Sequence, residues 1–282
     1  MPHAYTNGIA TFYEDSGDGP VVVLIHGHSA DLRTWKYQAD DLVEAGFRVV
    51  RYDVRGHGRS HVPLQGYTWD NYSVDLAELL DYLNIARPAT GAPGVGAVHI
   101  VGASMGGAIA LKFAVDHPFR VSSLTLVDSA LPGFTYSSEF SEELEALVAA
   151  VQTEGAPKAF DRLWLNHSFF EGVRRHPDRF AELREIVLAY QAPEYRADYG
   201  GEPGYVQPDI PSQLHSIQAP ALVIIGEHDI EDFHLIAEVL AGTMPSARKV
   251  VLEDCWHLPN IEKPEVFNPL LIDFLRATAG RA

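Results

Sequence analysis

The stretch VHIVGASMGGAIALKFA, residues 98–114, joins an apolar run typical of a buried strand to a small-residue run typical of a helix. At the junction, Gly102, Ser104 and Gly106 form the pattern G-x-S-x-G. A reactive serine needs a sharp turn of this kind, because its hydroxyl must project above the sheet while glycines let strand and helix pass closely. The spacing therefore predicts Ser104 as a nucleophile. The alternative is an ordinary serine in a strand–helix connection.

Short apolar runs recur on both sides of this stretch. Most of them lack polar alternation, which favours strands buried on both faces of a mainly parallel sheet. Helical patterns lie between several of the runs, and this alternation predicts an α/β fold that opens with a hairpin at Asn7 and Gly8. The predicted strands cover residues 21–25, 48–53, 98–102, 124–128, 221–226 and 249–253, and the predicted helices cover residues 35–45, 70–83, 105–116 and 266–277.

The alternation stops in the middle of the chain. Between residues 132 and 214 the patterns are helical, and a loop rich in Gly, Pro and Tyr at residues 195–211 closes the segment. A helical insertion between two strands of a sheet is typical of a lid over the site that the sheet carries. We therefore predict a core domain formed by residues 1–131 and 215–282 and a helical cap formed by residues 132–214.

Charge and composition exclude several classes of partner. The 282 residues include 21 Lys and Arg and 38 Asp and Glu, a formal net charge of −17, which disfavours nucleic acids and anionic membranes. Cys255 is the only cysteine, so no intrachain disulfide forms. No run approaches the roughly 20 apolar residues that span a bilayer, and the first residues lack a signal-peptide pattern. We expect a cytoplasmic protein, and the sequence leaves a homo-oligomer open.

Four blocks in this order resemble the α/β-hydrolase family, in its branch of esterases, lactonases and cofactor-free haloperoxidases. The blocks are LIHGHS at 24–29, YDVRGHGRS at 52–60, GASMGG at 102–107, and the late pair GEHDIED at 226–232 with WHLPN at 256–260. The resemblance covers nearly the whole chain outside the cap. It implies a mostly parallel sheet of about eight strands flanked by helices, a cap inserted after the sixth strand, and chemistry without a cofactor.

The resemblance also implies a Ser-Asp-His triad in that order along the chain. Asp229 is the candidate acid, because it ends a G-x-x-D turn after a predicted strand. Glu231 and Asp232 are rivals, although acids at those positions also suit the first turn of the following helix. His257 is the candidate base; most relatives carry glycine before this histidine, where this chain has Trp256.

Two histidines, His26 and His28, raise the alternative of a metal site, since residues two apart on a strand point to the same side. A metal needs further ligands at suitable spacing, and His57 and His61 fall in the turn that the resemblance assigns to the scaffold. We therefore expect no metal. The resemblance instead implies that the backbone N–H groups of His28 and Met105 form an oxyanion hole, with His26 as a hydrogen-bonded structural residue.

The implied activity is hydrolysis of a small carboxylic ester or lactone through an acyl-enzyme on Ser104. Trp164, Trp256 and Leu258 are candidate pocket residues, and the cap aromatics either line that pocket or pack together. Haloalkane dehalogenases and epoxide hydrolases attack with a carboxylate. The serine at position 104 therefore argues against both classes. A C–C bond hydrolase of a vinylogous diketone stays open, although Met105 after the serine and Leu258 after the histidine match that branch poorly. A small-molecule receptor with residual hydrolysis is the other alternative.

Overall fold

The computed structural model describes residues 2–85, 96–196 and 205–279. Within these ranges eight strands form one sheet in the order β1-β2-β4-β3-β5-β6-β7-β8. The pairs β1–β2 and β2–β4 are antiparallel, and every later pair is parallel. The strands are β1 His3–Thr6, β2 Ile9–Ser16, β3 Val21–Ile25, β4 Arg48–Tyr52, β5 Val98–Ala103, β6 Val121–Val127, β7 Ala221–Gly226 and β8 Ala247–Leu252. The predicted α/β fold with a mostly parallel sheet is confirmed.

Helices cover both faces of this sheet. In chain order they are α1 Lys36–Glu44, α2 Trp69–Tyr82, α3 Met105–Asp116, α4 Ser138–Glu154, α5 Ala156–Arg162, α6 Glu171–Arg174, α7 Pro177–Ala189, α8 Glu231–Thr243, α9 Pro259–Glu262 and α10 Pro264–Ala279. In the part of the chain that the structure describes, none of them is both long enough and apolar enough to cross a membrane.

Strand β3 shows why its sequence lacks polar alternation. Val22 and Leu24 pack into the hydrophobic cluster on one face of the sheet, and Val23 and Ile25 pack into the cluster on the other. Successive side chains of a strand point to opposite faces, so a central strand must be apolar at every position. Strand β8 differs: it lies at the edge of the sheet, and only Leu252 in it is fully buried.

The segment between β6 and β7 is helical. Helices α4 to α7 and several short 3₁₀ turns occupy it, and its described residues contain no strand. This is the helical insertion expected after the sixth strand. The boundaries at residues 132 and 214 stay a prediction, and residues 197–204 of the predicted closing loop lie outside the described residues.

Candidate active site

Ser104 lies on a strained turn between β5 and α3. Its φ is 51° and its ψ is −114°, a conformation that costs free energy for a residue with a side chain. The backbone holds it there, because the Ser104 N–H donates to the Val127 carbonyl at 2.9 Å and its own carbonyl accepts from the Ala130 N–H at 3.1 Å. The local fold thus places the serine side chain at the carboxyl edge of the sheet.

The glycines around Ser104 are required by close backbone contacts. A Cβ on Gly102 would lie 2.2 Å from the Gly106 carbonyl oxygen, and a Cβ on Gly106 would lie 2.2 Å from the Ile25 carbonyl oxygen. A Cβ on Gly107 would lie 2.2 Å from Oγ of Ser129. The G-x-S-x-G-G pattern therefore reflects the packing of α3 against β5 and β3.

His257 and Asp229 form a buried hydrogen-bonded pair. Nδ1 of His257 lies 2.7 Å from Oδ2 of Asp229, and the Ile230 N–H donates to Oδ1 of the same carboxylate at 2.8 Å. Because a carboxylate only accepts hydrogen bonds, Nδ1 carries the proton and Nε2 is free to act as a base. Phe169 stacks on the imidazole at 3.9 Å between ring centroids. Burial lowers the pKa of His257 to about 4, so the resting imidazole is neutral.

The rival acids are engaged elsewhere. Asp232 accepts from the backbone N–H of Ser137 at 2.7 Å and from its hydroxyl at 2.6 Å, so its carboxylate holds the start of the cap. Glu231 lies exposed in the first turn of α8. Of the three acids considered from the sequence, the structure brings Asp229 to His257.

Asp128 is a site residue that the sequence reasoning missed. It follows β6 with a φ of 42°, is buried, and accepts from the Gly226 N–H at 2.9 Å. One ligand atom each of Asp128, Asp229 and His257 lies within 4.8 Å of the others, the one group among the described residues spaced as metal ligands are. The signal was present in the sequence: Asp128 ends a predicted strand as Asp229 follows one, and the two strands are neighbours.

Glu262 was also missed, and it fixes the loop that carries His257. Its buried carboxylate accepts from the N–H of Trp256 at 2.8 Å and from the N–H of Leu258 at 2.9 Å, the residues on either side of the histidine. Arg175 lies over the Trp256 ring at 4.1 Å. Tryptophan is therefore accommodated directly before the histidine, with its ring against an arginine of the cap.

The first loop passes close to the nucleophile. A Cβ on Gly27 would lie 3.4 Å from the Ser104 Cβ, in van der Waals contact, so this loop lies directly beside the serine. Met105 is the first residue of α3, where a backbone N–H has no partner within the helix. His26 is structural, as expected: Nε2 accepts from the Val54 N–H at 2.9 Å, and burial lowers its pKa to about 4.

The side chain of His28 contacts the cap. Its Nε2 lies 2.9 Å from Oε1 of Glu194, an oxygen that also accepts from the Tyr190 hydroxyl. Burial alone would raise the pKa of Glu194, but the hydrogen bond and charge of His28 outweigh it and lower the pKa to about 2. An ionised carboxylate of the cap thus binds the loop next to Ser104.

One cleft brings several of these residues together. It is open to solvent at its mouth, and its walls are mostly apolar. The lining residues include Ser104, His257, His28, Trp164, Phe169, Phe170, Leu183, Val187, Leu258 and Ile261. Of the three predicted pocket residues, Trp164 and Leu258 line this cleft, whereas Trp256 lies outside its lining.

Comparison with known proteins places these features in a family. A family model described as the alpha/beta hydrolase fold matches residues 20–264. A thermophilic esterase from Thermogutta terrifontis is 29% identical with a TM-score of 0.80, covering 98% of this chain and 97% of its own. The enol-lactonase from Burkholderia xenovorans is 28% identical with a TM-score of 0.79, covering 98% and 100%. A 2-hydroxy-6-oxononadienedioate/2-hydroxy-6-oxononatrienedioate hydrolase from Burkholderia vietnamiensis is 29% identical, covering 94% of this chain and 90% of that protein.

Proposed function

The chain belongs to the alpha/beta hydrolase family, and on that premise we propose that it is a serine hydrolase that cleaves a small carboxylic ester or lactone. Ser104 attacks the carbonyl carbon, the C–O bond to the leaving oxygen breaks, and an acyl-enzyme remains. Water then attacks the acyl-enzyme and releases the carboxylic acid. A lactone follows the same steps, with the leaving oxygen still attached to the product.

The proton moves through His257. A serine hydroxyl is a weak nucleophile at neutral pH, so Nε2 of His257 takes its proton and then returns it to the leaving oxygen. Asp229 keeps Nδ1 protonated and stabilises the imidazolium that forms. The backbone N–H groups of His28 and Met105 bind the developing oxyanion, because the first lies on the loop beside Ser104 and the second opens α3.

The observation that carries this proposal is that Ser104, on its strained turn, and His257, already bonded to Asp229, line one cleft. A strained serine or a buried His–Asp pair alone has structural explanations. Both at one apolar cleft favour acyl transfer to serine. The apolar walls favour a substrate whose acyl part is aliphatic or aromatic rather than charged.

A second candidate is hydrolysis of a C–C bond in a vinylogous diketone. The relative from Burkholderia vietnamiensis, named as a hydrolase of 2-hydroxy-6-oxo acids, supports this alternative at 29% identity. Ser104, Asp229 and His257 would also catalyse this reaction. The apolar cleft lining favours the ester or lactone. The substrate in that relative's name is a dicarboxylate, and a dicarboxylate needs charged partners near the nucleophile.

Labelling of the serine tests the proposal. A fluorophosphonate probe should modify the native protein and not Ser104→Ala, which should lose at least about 10³-fold in ester hydrolysis. Ser29→Ala is the matched control, because Ser29 also lines the cleft. This variant should still be labelled by the probe. No labelling of the native protein would overturn the serine hydrolase and favour a receptor. Equal labelling of Ser104→Ala would also overturn the proposal, because the reactive residue would then lie elsewhere.

Substrate panels then separate the activities. Nitrophenyl esters of increasing acyl length should be hydrolysed alongside small lactones, with a limit on acyl length set by the cleft. Turnover confined to a vinylogous diketone, with negligible ester cleavage, would instead establish the C–C bond hydrolase.

A further inference from the structure

Two acids lie behind the imidazole of His257. Strands β6 and β7 are parallel neighbours, so the residues that follow them meet at the same edge of the sheet. Asp128 follows β6 directly and Asp229 lies in the turn after β7. Both are buried, and an oxygen of each lies within 4.8 Å of the other and of a ring nitrogen of His257.

The hydrogen-bond donors are shared unequally between these acids. Asp229 receives one donor on each oxygen, the Ile230 N–H on Oδ1 and Nδ1 of His257 on Oδ2. Asp128 receives only the Gly226 N–H on Oδ1, and no hydrogen-bond donor among the described residues reaches its buried Oδ2. A carboxylate needs donors on its oxygens, whereas a carboxylic acid needs one acceptor for its own proton.

Among the described residues, no Lys or Arg is one of the groups that act most strongly on these two acids. The charges that act most strongly on the pair are those of His257 and Glu262, together with the two acids themselves. Cys255 is itself buried, and its pKa is raised first by that burial and in part by the charge of Asp128. Two like charges this close and shielded from water are not both retained without a cation.

We propose that Asp128 is a positioning residue that stays protonated and donates a hydrogen bond from Oδ2 to Asp229, so that His257 faces two acids carrying one negative charge. This inference rests on the proposed function of Ser104, Asp229 and His257 and adds a fourth member to that site. The pKa of Asp128 agrees with it: burial first, and then repulsion from Asp229, raise that pKa well above its usual range. Burial also raises the pKa of Asp229, to about 8, but the hydrogen bond from Asp128 opposes that rise, so Asp229 is the acid that holds the negative charge.

In a variant that lacks Asp229, the role of Asp128 should change. When Asp229 is replaced by asparagine, the repulsion between the two acids disappears, although Asp128 stays buried. Asp128 is then the one remaining acid of the pair, and it ionises as His257 becomes an imidazolium, so that it holds that cation electrostatically. Asp128 is therefore dispensable as a charge when Asp229 is present and needed as a charge when Asp229 is absent.

Four variants test the proposal through kcat/KM as a function of pH. Asp128→Asn keeps an acceptor for the Gly226 N–H and a donor toward Asp229, so it should stay within about threefold of wild type with an unmoved acid limb. Asp128→Ala loses both groups and should fall at least about tenfold. Asp229→Asn combined with Asp128→Asn should be at least about tenfold less active than Asp229→Asn alone, a coupling that independent sites do not show.

The contrary outcomes are distinct. If Asp128 is ionised in the native protein, Asp128→Asn loses activity and its acid limb moves to lower pH, because a negative charge near His257 is gone. If Asp128 is only structural, the Asp128 and Asp229 substitutions are independent and their effects multiply. Either result overturns the proposal. If Asp128→Asn fails to fold, the infrared C=O stretching band of a protonated carboxylic acid is measured instead. Wild type should show this band, and Asp128→Glu should shift it.

Failure of the underlying function is recognised separately. Ser104→Ala measured in the same assay must abolish the activity on which the four variants are compared. If it does not, the activity does not belong to this site, and the proposed function falls before Asp128 is tested. If it does, a failed coupling test counts against the role of Asp128 alone.

Discussion

Asp229 and Asp232 are three residues apart, and their different hydrogen-bond partners predict different effects. Asp229→Asn should lower kcat/KM by about 10² to 10³-fold, because the amide cannot hold the imidazolium as a carboxylate does. Asp232→Asn should stay within about threefold, since Asp232 binds Ser137 of the cap. Steady-state kinetics on one ester checks both. A collapse of Asp232→Asn with an active Asp229→Asn would mean that the acid has been assigned wrongly.

The residues that the sequence located are those with a local signature. Ser104 stands in a glycine pattern that packing requires, and Asp229 follows a strand in a recognisable turn. Asp128 and Glu262 have no such signature, because their importance comes from contacts with residues far along the chain. A single sequence does not display those pairings, although the positions of strand ends could have pointed to Asp128.

At the scale of elements, the cap is tied to the core through Glu194. Glu194→Gln should destabilise the protein by about 1–3 kcal/mol at neutral pH, because it removes the buried carboxylate that hydrogen-bonds to His28 and accepts from the Tyr190 hydroxyl. Folding lowers the pKa of Glu194 from 4.5 to about 2, so its contribution is complete above pH 4.5 and is lost as the pH falls toward 2. The difference between wild type and variant should therefore shrink over that range.

Denaturant unfolding of both proteins at several pH values measures this difference. Arg184→Gln is a suitable control, because its partner Asp161 lies within the cap and their ion pair is exposed. The control should cost little at any pH. A Glu194→Gln variant as stable as wild type at neutral pH would show that this contact does not hold the cap.

The sheet was predicted well because its central strands are apolar on both faces. Val22 and Val23, for example, enter different hydrophobic clusters, so both had to be apolar. The edge strand β8 has no such constraint, and most of its residues are half-buried or exposed. The cap was harder to predict in detail: its aromatic residues serve both the cleft and the packing of its helices, and composition does not separate these uses. Phe169 does both, lining the cleft while stacking on His257.

Across the whole molecule, buried titratable groups act on stability in opposite directions. Burial lowers the pKa of His26, His57, His99 and His257, and each of these favours unfolding as the pH falls. Burial raises the pKa of Asp53 to about 6, and this acid opposes unfolding over the same range. The overall acid sensitivity is a sum of these terms, so it does not identify any one group.

A single buried histidine can be isolated by comparing a variant with wild type. His99 lies in β5 away from the cleft, with Nδ1 2.8 Å from the Ser123 hydroxyl, and burial lowers its pKa from 6.5 to about 4. Wild type therefore loses stability as the pH falls from 6.5 through 4, because the unfolded chain binds a proton that the folded chain refuses. His99→Asn keeps a polar group at the place of Nδ1 and should escape this loss. Its free energy of unfolding should therefore rise by roughly 3 kcal/mol relative to that of wild type between pH 7 and pH 4. His215→Asn, at an exposed position, should track wild type. Equal pH dependence of all three unfolding free energies would mean that His99 is protonated in the folded protein.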